Sequence, residues 1–473
     1  MAQFPLVRRQ LPSIRILFLL CLAAIAGVAQ QPTVSEPIRE QLLNGLRILM
    51  WPQPAAQDVT LKLRIHSGAA FDLAGKSGEM ALLGDILFPD PATIEFFTEE
   101  MAGKLDVKTD HDSLTVTMQG RANEFERIVE ILRNAILSPQ VTPDIVARQR
   151  ARRLKIVQDT AALPTIAADR AIAARYFGDY PYGRPANGTV ENLASVDRSD
   201  LMLARDRFLN ADNATLTVTG GIERTRAMRA LRQLLGSWRK AEQVVPATFR
   251  MPAAPDPRTL IVNSPADQTA EVRLAVRGVS RGDVDYVAAE ILARVARQRW
   301  AKLSPELNSK PFFVRNDAHV LPGLLIMGAS INSKSSAPVI AGAKKVIESL
   351  VREPATATEV EQARSEVIAE LTNKLGKPDT MLDVWLDSDT YRLPPISDQL
   401  NSMRTVSAGD VQRLALRLFQ DKPLASIVLG NSQQLKTELE GRLETEVLPD
   451  TPVPNPTTEM APARKPNSPT KPE

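Results

Sequence analysis

The chain has 473 residues, of which 24% are charged and 44% hydrophobic, and its formal net charge at pH 7 is +3. A chain of this length is too long for one compact core, so at least two domains are expected. The nearly balanced charge gives no reason to expect nucleic acid or a strongly acidic partner.

The first thirty residues have the pattern of a secretory signal peptide. Arg8 and Arg9 form a basic start, residues 16–25 are an apolar run, and small residues follow, so we expect removal of residues 1–29. The run is too short for a permanent membrane helix, and no small residue precedes Cys21, which argues against lipidation. The arginine pair leaves both the general and the twin-arginine export routes open.

The mature chain would contain no cysteine, since Cys21 is the only one in the sequence. This excludes disulfides, cysteine nucleophiles and thiolate metal sites. An exported chain without disulfides fits a bacterial periplasm, so the expected localisation is periplasmic or secreted.

Two strands and a short helix are predicted near the start of the mature chain. Residues 46–50 and 59–65 are predicted strands, and the second alternates between an apolar face and a face that carries Lys62 and Arg64. A glycine-rich turn then enters an amphipathic helix, and we expect Ser77 to accept a hydrogen bond from a first-turn amide of that helix.

Periodic apolar residues predict further elements up to residue 219. Residues 176–189, which contain three glycines and several aromatic rings, are expected to form a packed loop with positive φ at Gly178, Gly183 and Gly188. The other predicted elements are helices at about 92–101, 125–136, 143–158, 165–177 and 199–208, and strands at 114–118 and 214–219.

An internal repeat divides the chain. Residues 196–200 and Phe208 recur, about 210 residues later, as 406–410 and Phe419, which is far beyond the period of solenoid repeats. The repeat therefore predicts two duplicated domains. The N-terminal domain is expected at 30–245, a Pro- and Ala-rich linker at 246–257, the C-terminal domain at 258–445, and a disordered Pro-rich tail at 446–473.

The turn and helix at residues 68–89 and the loop at 176–189 resemble the insulinase/pitrilysin zinc peptidases, which include mitochondrial processing peptidase. The loop matches the G-x-x-P-Y-G-x-x-x-x-G-T segment of that family. The resemblance covers residues 38–440. It implies an α+β fold of two homologous domains, each a mainly antiparallel sheet with helices packed on one face, arranged as half a clamshell.

The zinc motif of this family is degenerate in the chain. In H-x-x-E-H the two histidines bind one Zn²⁺ and the glutamate between them polarises the attacking water. The motif falls on Ala81, Gly84 and Asp85, of which only Asp85 has an atom that could contact a metal. The third ligand position implied by the resemblance falls on Lys155 or Ile156, and a cation there would repel Zn²⁺.

In the second half, the resemblance implies that the groups which polarise the scissile carbonyl are also missing. The family has an arginine and a tyrosine in the pattern R-L-x-x-x-x-R-x-x-x-x-x-x-Y. Arg299 matches the first arginine, but the functional pair falls on Pro305 and Phe312. Phe312 keeps the ring of the tyrosine and lacks its hydroxyl.

A replacement site is not indicated by the three histidines, His66, His111 and His319. In Asp110-His111-Asp112, strand alternation would send the imidazole to the face opposite both carboxylates. His66 and His319 have no partner at metal-ligand spacing. The basic residues between 148 and 155 are expected to form a solvated helix face, with a docking surface for an acidic partner or peptide as the alternative.

The resemblance implies an exported, catalytically inactive homologue that acts as the non-catalytic subunit of a heteromeric zinc metallopeptidase and helps to form its peptide chamber. No cofactor is expected in this chain, with zinc in an active partner subunit of the same family, and extended peptides are expected to add to a sheet edge. The alternatives are a stand-alone periplasmic peptide-binding or scaffolding protein and, third, an active metalloendopeptidase with unusual ligands such as Asp85.

Overall fold

The computed structural model describes residues 35–241, 249–250, 252–265 and 268–448. The predicted signal peptide at 1–29, part of the predicted linker and the tail beyond residue 448 lie outside the described residues. From Pro37 onward the described chain forms one compact unit.

The described residues form twelve strands and fifteen α-helices. The strands are β1 (Ile38–Gln41), β2 (Arg47–Pro52), β3 (Asp58–Ile65), β4 (Lys104–Thr109), β5 (Leu114–Arg121), β6 (Ala214–Gly220), β7 (Thr259–Asn263), β8 (Thr269–Arg277), β9 (Phe312–Asp317), β10 (Leu324–Asn332), β11 (Ala425–Gly430) and β12 (Thr445–Val447). The helices are α1 (Glu79–Leu87), α2 (Pro91–Glu95), α3 (Phe125–Leu137), α4 (Pro143–Ala161), α5 (Pro164–Phe177), α6 (Val190–Ser195), α7 (Arg198–Phe208), α8 (Arg224–Leu235), α9 (Tyr286–Leu303), α10 (Ser336–Arg352), α11 (Ala357–Leu375), α12 (Pro378–Thr390), α13 (Ile396–Thr405), α14 (Ala408–Phe419) and α15 (Ser432–Leu439).

Two six-stranded sheets repeat one topology. The first has the order β1-β2-β6-β3-β5-β4 and the second the order β12-β7-β11-β8-β10-β9. In both sheets the second and third strands pair in parallel, and the strands that follow pair antiparallel. Only the first strand of each order differs, since β1 is antiparallel to β2 whereas β12 is parallel to β7. The predicted fold of two homologous, mainly antiparallel α+β domains is confirmed.

The repeat also holds in the helix starts. Helix α7 begins with a capping box between Asp197 and Asp200, and α14 begins with the corresponding box between Ser407 and Asp410. In each box the N-cap side chain accepts from the N3 amide and the N3 carboxylate accepts from the N-cap amide, which satisfies two free backbone donors.

The apolar face of β3 packs against the helices of its own half. Val59, Leu61, Leu63 and Ile65 are all buried in one core with residues of α1, α3 and α8. Because side chains alternate along a strand, Lys62 and the arginine beyond it point to the other face of the sheet.

That other face is covered by helix α12, which comes from the second half of the chain. Lys62 donates to Asp383 (2.9 Å) and Arg64 contacts Asp387 (2.5 Å). The two cationic side chains are therefore buried, at 7% and 8% exposure. Each carries a carboxylate partner from α12, which compensates for its removal from water.

The second sheet is covered in the same way by helix α5 of the first half. Ala168, Ile172 and Tyr176 of α5 form one core with apolar side chains of the second sheet, among them Ala275 and Ile427. The two halves thus exchange a helix. The resemblance placed helices on one face of each sheet, and the exchange adds one helix to the opposite face.

The C-terminal domain extends beyond its predicted boundary at residue 445. Strand β12 pairs in parallel with β7, and the amide of Leu448 donates to the carbonyl of Ile261 (3.0 Å). The first residues of the predicted disordered tail, 446–448, are therefore part of the second sheet edge. Alternation in β12 could not reveal this, because three residues are too few to establish a period.

The described part of the predicted linker is packed rather than extended. The ring of Phe249 lies 6.2 Å from that of Phe71 and 6.1 Å from that of Tyr180, measured between centroids. Within the described residues, none of the helices combines the length and apolar character that crossing a bilayer requires.

Candidate functional site

Helix α1 carries the positions of the degenerate zinc motif and is held at its N-terminus by a buried carboxylate. Asp72 accepts hydrogen bonds from the amides of Gly78 (2.7 Å) and Met80 (2.9 Å). Ser77, predicted to fill this role, instead donates its hydroxyl to the carbonyl of Pro185 (3.0 Å). Burial raises the pKa of Asp72 to about 7, although the two amide hydrogen bonds favour its charged form.

Ala81 and Gly84 lie on the buried part of α1. A Cβ atom at Gly84 would lie 3.3 Å from Thr109 Oγ1 and from Val107 Cγ1, so the absence of a side chain lets α1 pack closely on the β4–β5 hairpin. Ala81 is fully buried. Neither residue has a side-chain atom that could bind a metal or move a proton.

Asp85 is bound by a guanidinium from helix α4. Arg153 Nε lies 2.7 Å from Asp85 Oδ2 and Arg153 Nη2 lies 2.5 Å from Asp85 Oδ1, a bidentate pair. The same guanidinium donates to the carbonyl of Ala81 (3.3 Å) and to Asn187 Oδ1 (3.2 Å). A fixed positive charge therefore lies against the helical turn that joins the first and last motif positions.

This donor set does not fit Zn²⁺. A structural or catalytic zinc site needs at least three protein ligands, and Ala81, Gly84, Asp85 and the facing Arg153 offer one carboxylate, which is already engaged by a cation. Among the described residues, no group of three or more His, Cys, Asp or Glu side chains is arranged to hold a metal ion. No step of metal-assisted hydrolysis can be assigned to these side chains.

The residue of α4 that faces α1 is Arg153, and neither Lys155 nor Ile156 does so. Lys155 pairs with Asp159 on the surface, where its side chain is 76% exposed, and Ile156 is 38% exposed. The side chain that lies opposite the motif helix is therefore two residues before Lys155 and three residues before Ile156 along α4. Arg153 follows the buried Val146 by seven residues, and this spacing was the available signal in the sequence.

The basic run at residues 148–155 divides between buried and exposed roles. Besides Arg153, the guanidinium of Arg150 donates to the carbonyl of Val196 (2.8 Å). Arg152 and Lys155 are exposed, as predicted for a solvated face. The run therefore forms neither one continuous basic surface nor a wholly solvated one.

The side chains at the positions that the resemblance assigns to the carbonyl-polarising groups have packing roles. Pro305 opens a single 3₁₀ turn before β9, and Phe312 begins β9, where its ring contacts Trp300 (5.9 Å between centroids) and the Arg297 guanidinium (5.1 Å). Arg299 forms a bidentate pair with Glu359, a residue of α11.

Asp110-His111-Asp112 lies in the turn between β4 and β5, so the prediction that strand alternation separates its side chains does not apply. Asp112 is 3% exposed. It accepts hydrogen bonds from His319 Nδ1 (3.1 Å), the Tyr182 hydroxyl (3.1 Å) and the Tyr391 hydroxyl (3.2 Å). These donors come from both halves of the chain, which the sequence could not indicate because they are far apart along it.

The electrostatics of this cluster favour a charged pair. Although burial favours the neutral forms, the mutual hydrogen bond lowers the pKa of Asp112 and raises the pKa of His319. Burial and the neighbouring His319 lower the pKa of His111, whose Nε2 donates to the carbonyl of Arg184 (2.9 Å). The cluster is suited to joining the two halves.

His66 has a comparable role at the end of β3. It forms hydrogen bonds to Thr390 of α12 (3.0 Å) and to Thr215 of β6 (2.9 Å). Burial, with Arg47 and Arg64 close by, lowers the pKa of His66 to about 3. It is therefore neutral and structural at ordinary pH.

The fold, with its two repeated sheets and the short helix α1 packed on the β4–β5 hairpin, defines the class as a metallopeptidase fold. The family model "Insulinase (Peptidase family M16)" matches residues 47–190, and the model "Peptidase M16 inactive domain" matches residues 195–367. Together they cover most of the chain, which belongs to the insulinase (M16) peptidase family.

Individual relatives have low sequence identity to this chain but align with most of its length. The mitochondrial-processing peptidase subunit beta of Lentinula edodes is 22% identical over 428 residues, covering 84% of this chain and 90% of that protein. A protease from Helicobacter pylori has the same fold, with a TM-score of 0.72, 15% identity and coverage of 83% of this chain and 99% of that one. A peptidase M16 inactive domain from Pseudomonas fluorescens matches with a TM-score of 0.70, 15% identity and coverage of 84% and 98%.

Proposed function

We propose that this chain is an exported, catalytically inactive member of the insulinase family that acts as the non-catalytic subunit of a heteromeric zinc peptidase. In this role it helps to form the peptide chamber, while zinc and the catalytic groups belong to an active partner subunit. The observation that carries the proposal is the Asp85–Arg153 pair, because a guanidinium is bound where the family motif requires a cation and its ligands.

The comparisons support this role in two respects. The model that matches residues 195–367 describes an inactive domain, and the relative from Lentinula edodes is named as a subunit. A chain with the fold and without the ligands is useful to a peptidase mainly through the surface that it contributes.

Strand β4 offers such a surface. It is the edge strand of the first sheet, and among the described strands it pairs only with β5. It lies beside α1, since Val107 and Thr109 are the neighbours of Gly84. An extended peptide could add to this edge through main-chain hydrogen bonds, with alternate side chains pointing to either face.

The direct test is reconstitution with an H-x-x-E-H homologue encoded in the same genome. We expect a stable heteromer in size-exclusion chromatography with light scattering, and hydrolysis of a quenched fluorescent peptide that requires both chains. In the matched control, Arg153→Gln in this chain should leave that activity within about twofold, whereas removing the glutamate of the partner's motif should abolish it. Chelator-sensitive hydrolysis by this chain alone would refute the proposal.

The geometry of the vestigial site can be tested separately from the partner. Ala81→His, Asp85→His and Arg153→Glu together would supply three ligands on facing helix turns, and we expect this variant to bind about one Zn²⁺ by metal analysis. Replacing Arg153→Glu by Lys155→Glu in the same background should abolish binding, because residue 155 points to solvent. Equal zinc content in the two variants would contradict the assignment of Arg153 to this position.

A stand-alone peptide-binding or scaffolding protein is the second candidate, and the exposed edge of β4 favours it equally. The reconstitution separates the two, since a chain that binds peptide as a monomer and forms no heteromer would fit this role. An active metalloendopeptidase is disfavoured by the cation bound to Asp85.

A further inference from the structure

A cleft of about 270 Å³ lies between α5, the loop at 182–187 and the strands β9 and β10. Its apolar lining comes from both halves of the chain: Ile166, Ala173, Phe177, Leu324 and Ile326. Binding sites for drug-sized ligands have volumes of roughly 300–1,000 Å³, so this cleft fits a smaller group such as one amino-acid residue.

Three arginines line the same cleft, and one of them, Arg170, has all of its donors free within the described part of the chain. Arg184 uses Nη1 and Nη2 on the carbonyls of Asp72 (3.0 Å) and Ala70 (3.4 Å), but its Nε is buried without a hydrogen-bond partner. Arg170 has no hydrogen bond or ion pair to any described residue, and burial lowers its pKa with no carboxylate offsetting that effect. Such unmatched donors favour an anion that can supply acceptors.

The carboxylates in the cleft are already neutralised. Asp169 pairs with Arg273 (2.6 Å) and with Arg315 (3.0 Å), and Asp317 pairs with the same Arg315 (2.7 Å). His319, which also lines the cleft, is bound to a buried carboxylate. The net charge of the side chains that line the cleft is therefore positive, because the charges of Arg170 and Arg184 are not neutralised by an ion pair with a described residue.

We propose that this cleft binds a carboxylate that carries a small apolar side chain, as at the C-terminal residue of a peptide or in a free N-acyl amino acid. The guanidinium of Arg170 would bind the carboxylate, the positive charge of Arg184 would lie beside it, and the apolar lining would contact the side chain. Asn187, which lines the cleft, also accepts a hydrogen bond from Arg153, so the site adjoins the vestigial zinc helix. The proposal does not depend on a partner subunit.

The test uses the full chain and three probes in fluorescence anisotropy or its competition form. The first is fluorescein-Gly-Gly-Ser-Leu with a free carboxylate, the second is the same peptide as its C-terminal amide, and the third is N-acetylleucine as competitor. We expect the acid to bind with a Kd below about 1 mM and the amide to bind at least about tenfold more weakly. Equal affinity for acid and amide, or no binding of either acid, would overturn the proposal.

The variants separate the site from general charge effects. Arg170→Gln should weaken binding of the acid at least about tenfold, because a charged hydrogen bond is lost. Arg229→Gln removes the same charge from an exposed position on α8 and should leave binding unchanged. Ala173→Leu fills the apolar side of the cleft and should also reduce binding, with an unaltered circular dichroism spectrum showing that the fold is intact.

The two sources of the ligand are also distinguished. Displacement of the labelled peptide by N-acetylleucine at similar concentration indicates a site for free acyl amino acids as well as peptide ends, whereas much weaker displacement assigns the site to peptide C-termini. Arg170→Gln with unchanged affinity for the acid would refute the assignment in either case.

Discussion

The two exchanged helices cover equivalent faces of the two sheets but bury their charges to different extents. Under α12, Lys62 and Arg64 meet Asp383 and Asp387, whose side chains are 44% and 36% exposed. Under α5, Arg273 is 1% exposed and pairs with Glu271 of β8, which is 9% exposed, and with Asp169 of α5, which is 35% exposed.

This difference determines how much each contact contributes to stability. A carboxylate that keeps contact with water is largely solvated without its partner, so the ion pair adds little. Removing one member of a buried pair leaves an uncompensated charge in a medium of low dielectric, which is costly. The second sheet should therefore depend on its ion pairs more than the first.

The largest effect is expected for Arg273→Met. Loss of this guanidinium leaves the buried Glu271 carboxylate without its cation, and we expect a loss of about 3–5 kcal/mol in the free energy of unfolding, measured from urea midpoints. Adding Glu271→Met and Asp169→Leu should restore much of the loss, because an apolar replacement of the whole cluster removes the stranded charges. Arg229→Met, an exposed change, should stay within about 0.5 kcal/mol.

The second effect concerns pH at the α12 interface. The pKa of His66 falls from its ordinary 6.5 to about 3 in the folded chain. Between pH 6.5 and about 3, the imidazole is protonated in the unfolded chain but not in the folded one. The free energy of unfolding therefore decreases as the pH falls through this range, by up to about 1.4 kcal/mol per pH unit. His66→Gln should flatten this part of the urea-midpoint profile.

His319→Gln is a control variant for which the pH dependence of the free energy of unfolding should change in the opposite direction. Its partner Asp112 raises the pKa of His319 in the folded chain, so its contribution is present below pH 6.5 and disappears as the pH rises through the folded value. Its removal should lower stability most on the acid side. The same pH response in both variants would contradict the two opposite assignments.

A smaller effect is expected inside the first half. Arg153→Gln removes the bidentate partner of Asp85, whose side chain is 21% exposed, and should cost about 1–3 kcal/mol. Lys155→Gln on the same helix should cost no more than about 0.5 kcal/mol, since that pair is exposed. Equal urea midpoints for the two variants would show that the contact of Arg153 with α1 does not contribute to stability.

The smallest effect is expected for Arg64→Met. Its partners on α12 are more than one third exposed and can be hydrated, so the cost should be about 1 kcal/mol. A loss as large as that for Arg273→Met would remove the distinction between the two sheets.

Local structure could be predicted where the determining residues are close in sequence. The helix predicted at 143–158 is α4, because Thr142 caps it and Pro143 occupies its first turn. Positive φ was predicted at three loop glycines and occurs at Gly178 and Gly188. Gly183 is instead required by space, since a Cβ there would lie 2.2 Å from a backbone carbonyl oxygen.

Contacts between distant residues were beyond such reasoning. Strand alternation correctly separated Lys62 from the apolar face, but α12, which covers it, begins more than 300 residues later. The turn at 110–113 was taken as strand, so the convergence of Asp112 with Tyr391 and His319 could not be foreseen.

By itself, the sequence determined the duplication, the family and the side chains at the motif positions, because spacing and residue type are local properties that survive in a single chain. Only the tertiary structure decided that Arg153 binds Asp85 and that the two halves exchange α5 and α12. Which residue faces which depends on how the helices are oriented across a packed interface, and that orientation is set by all of the contacts at once.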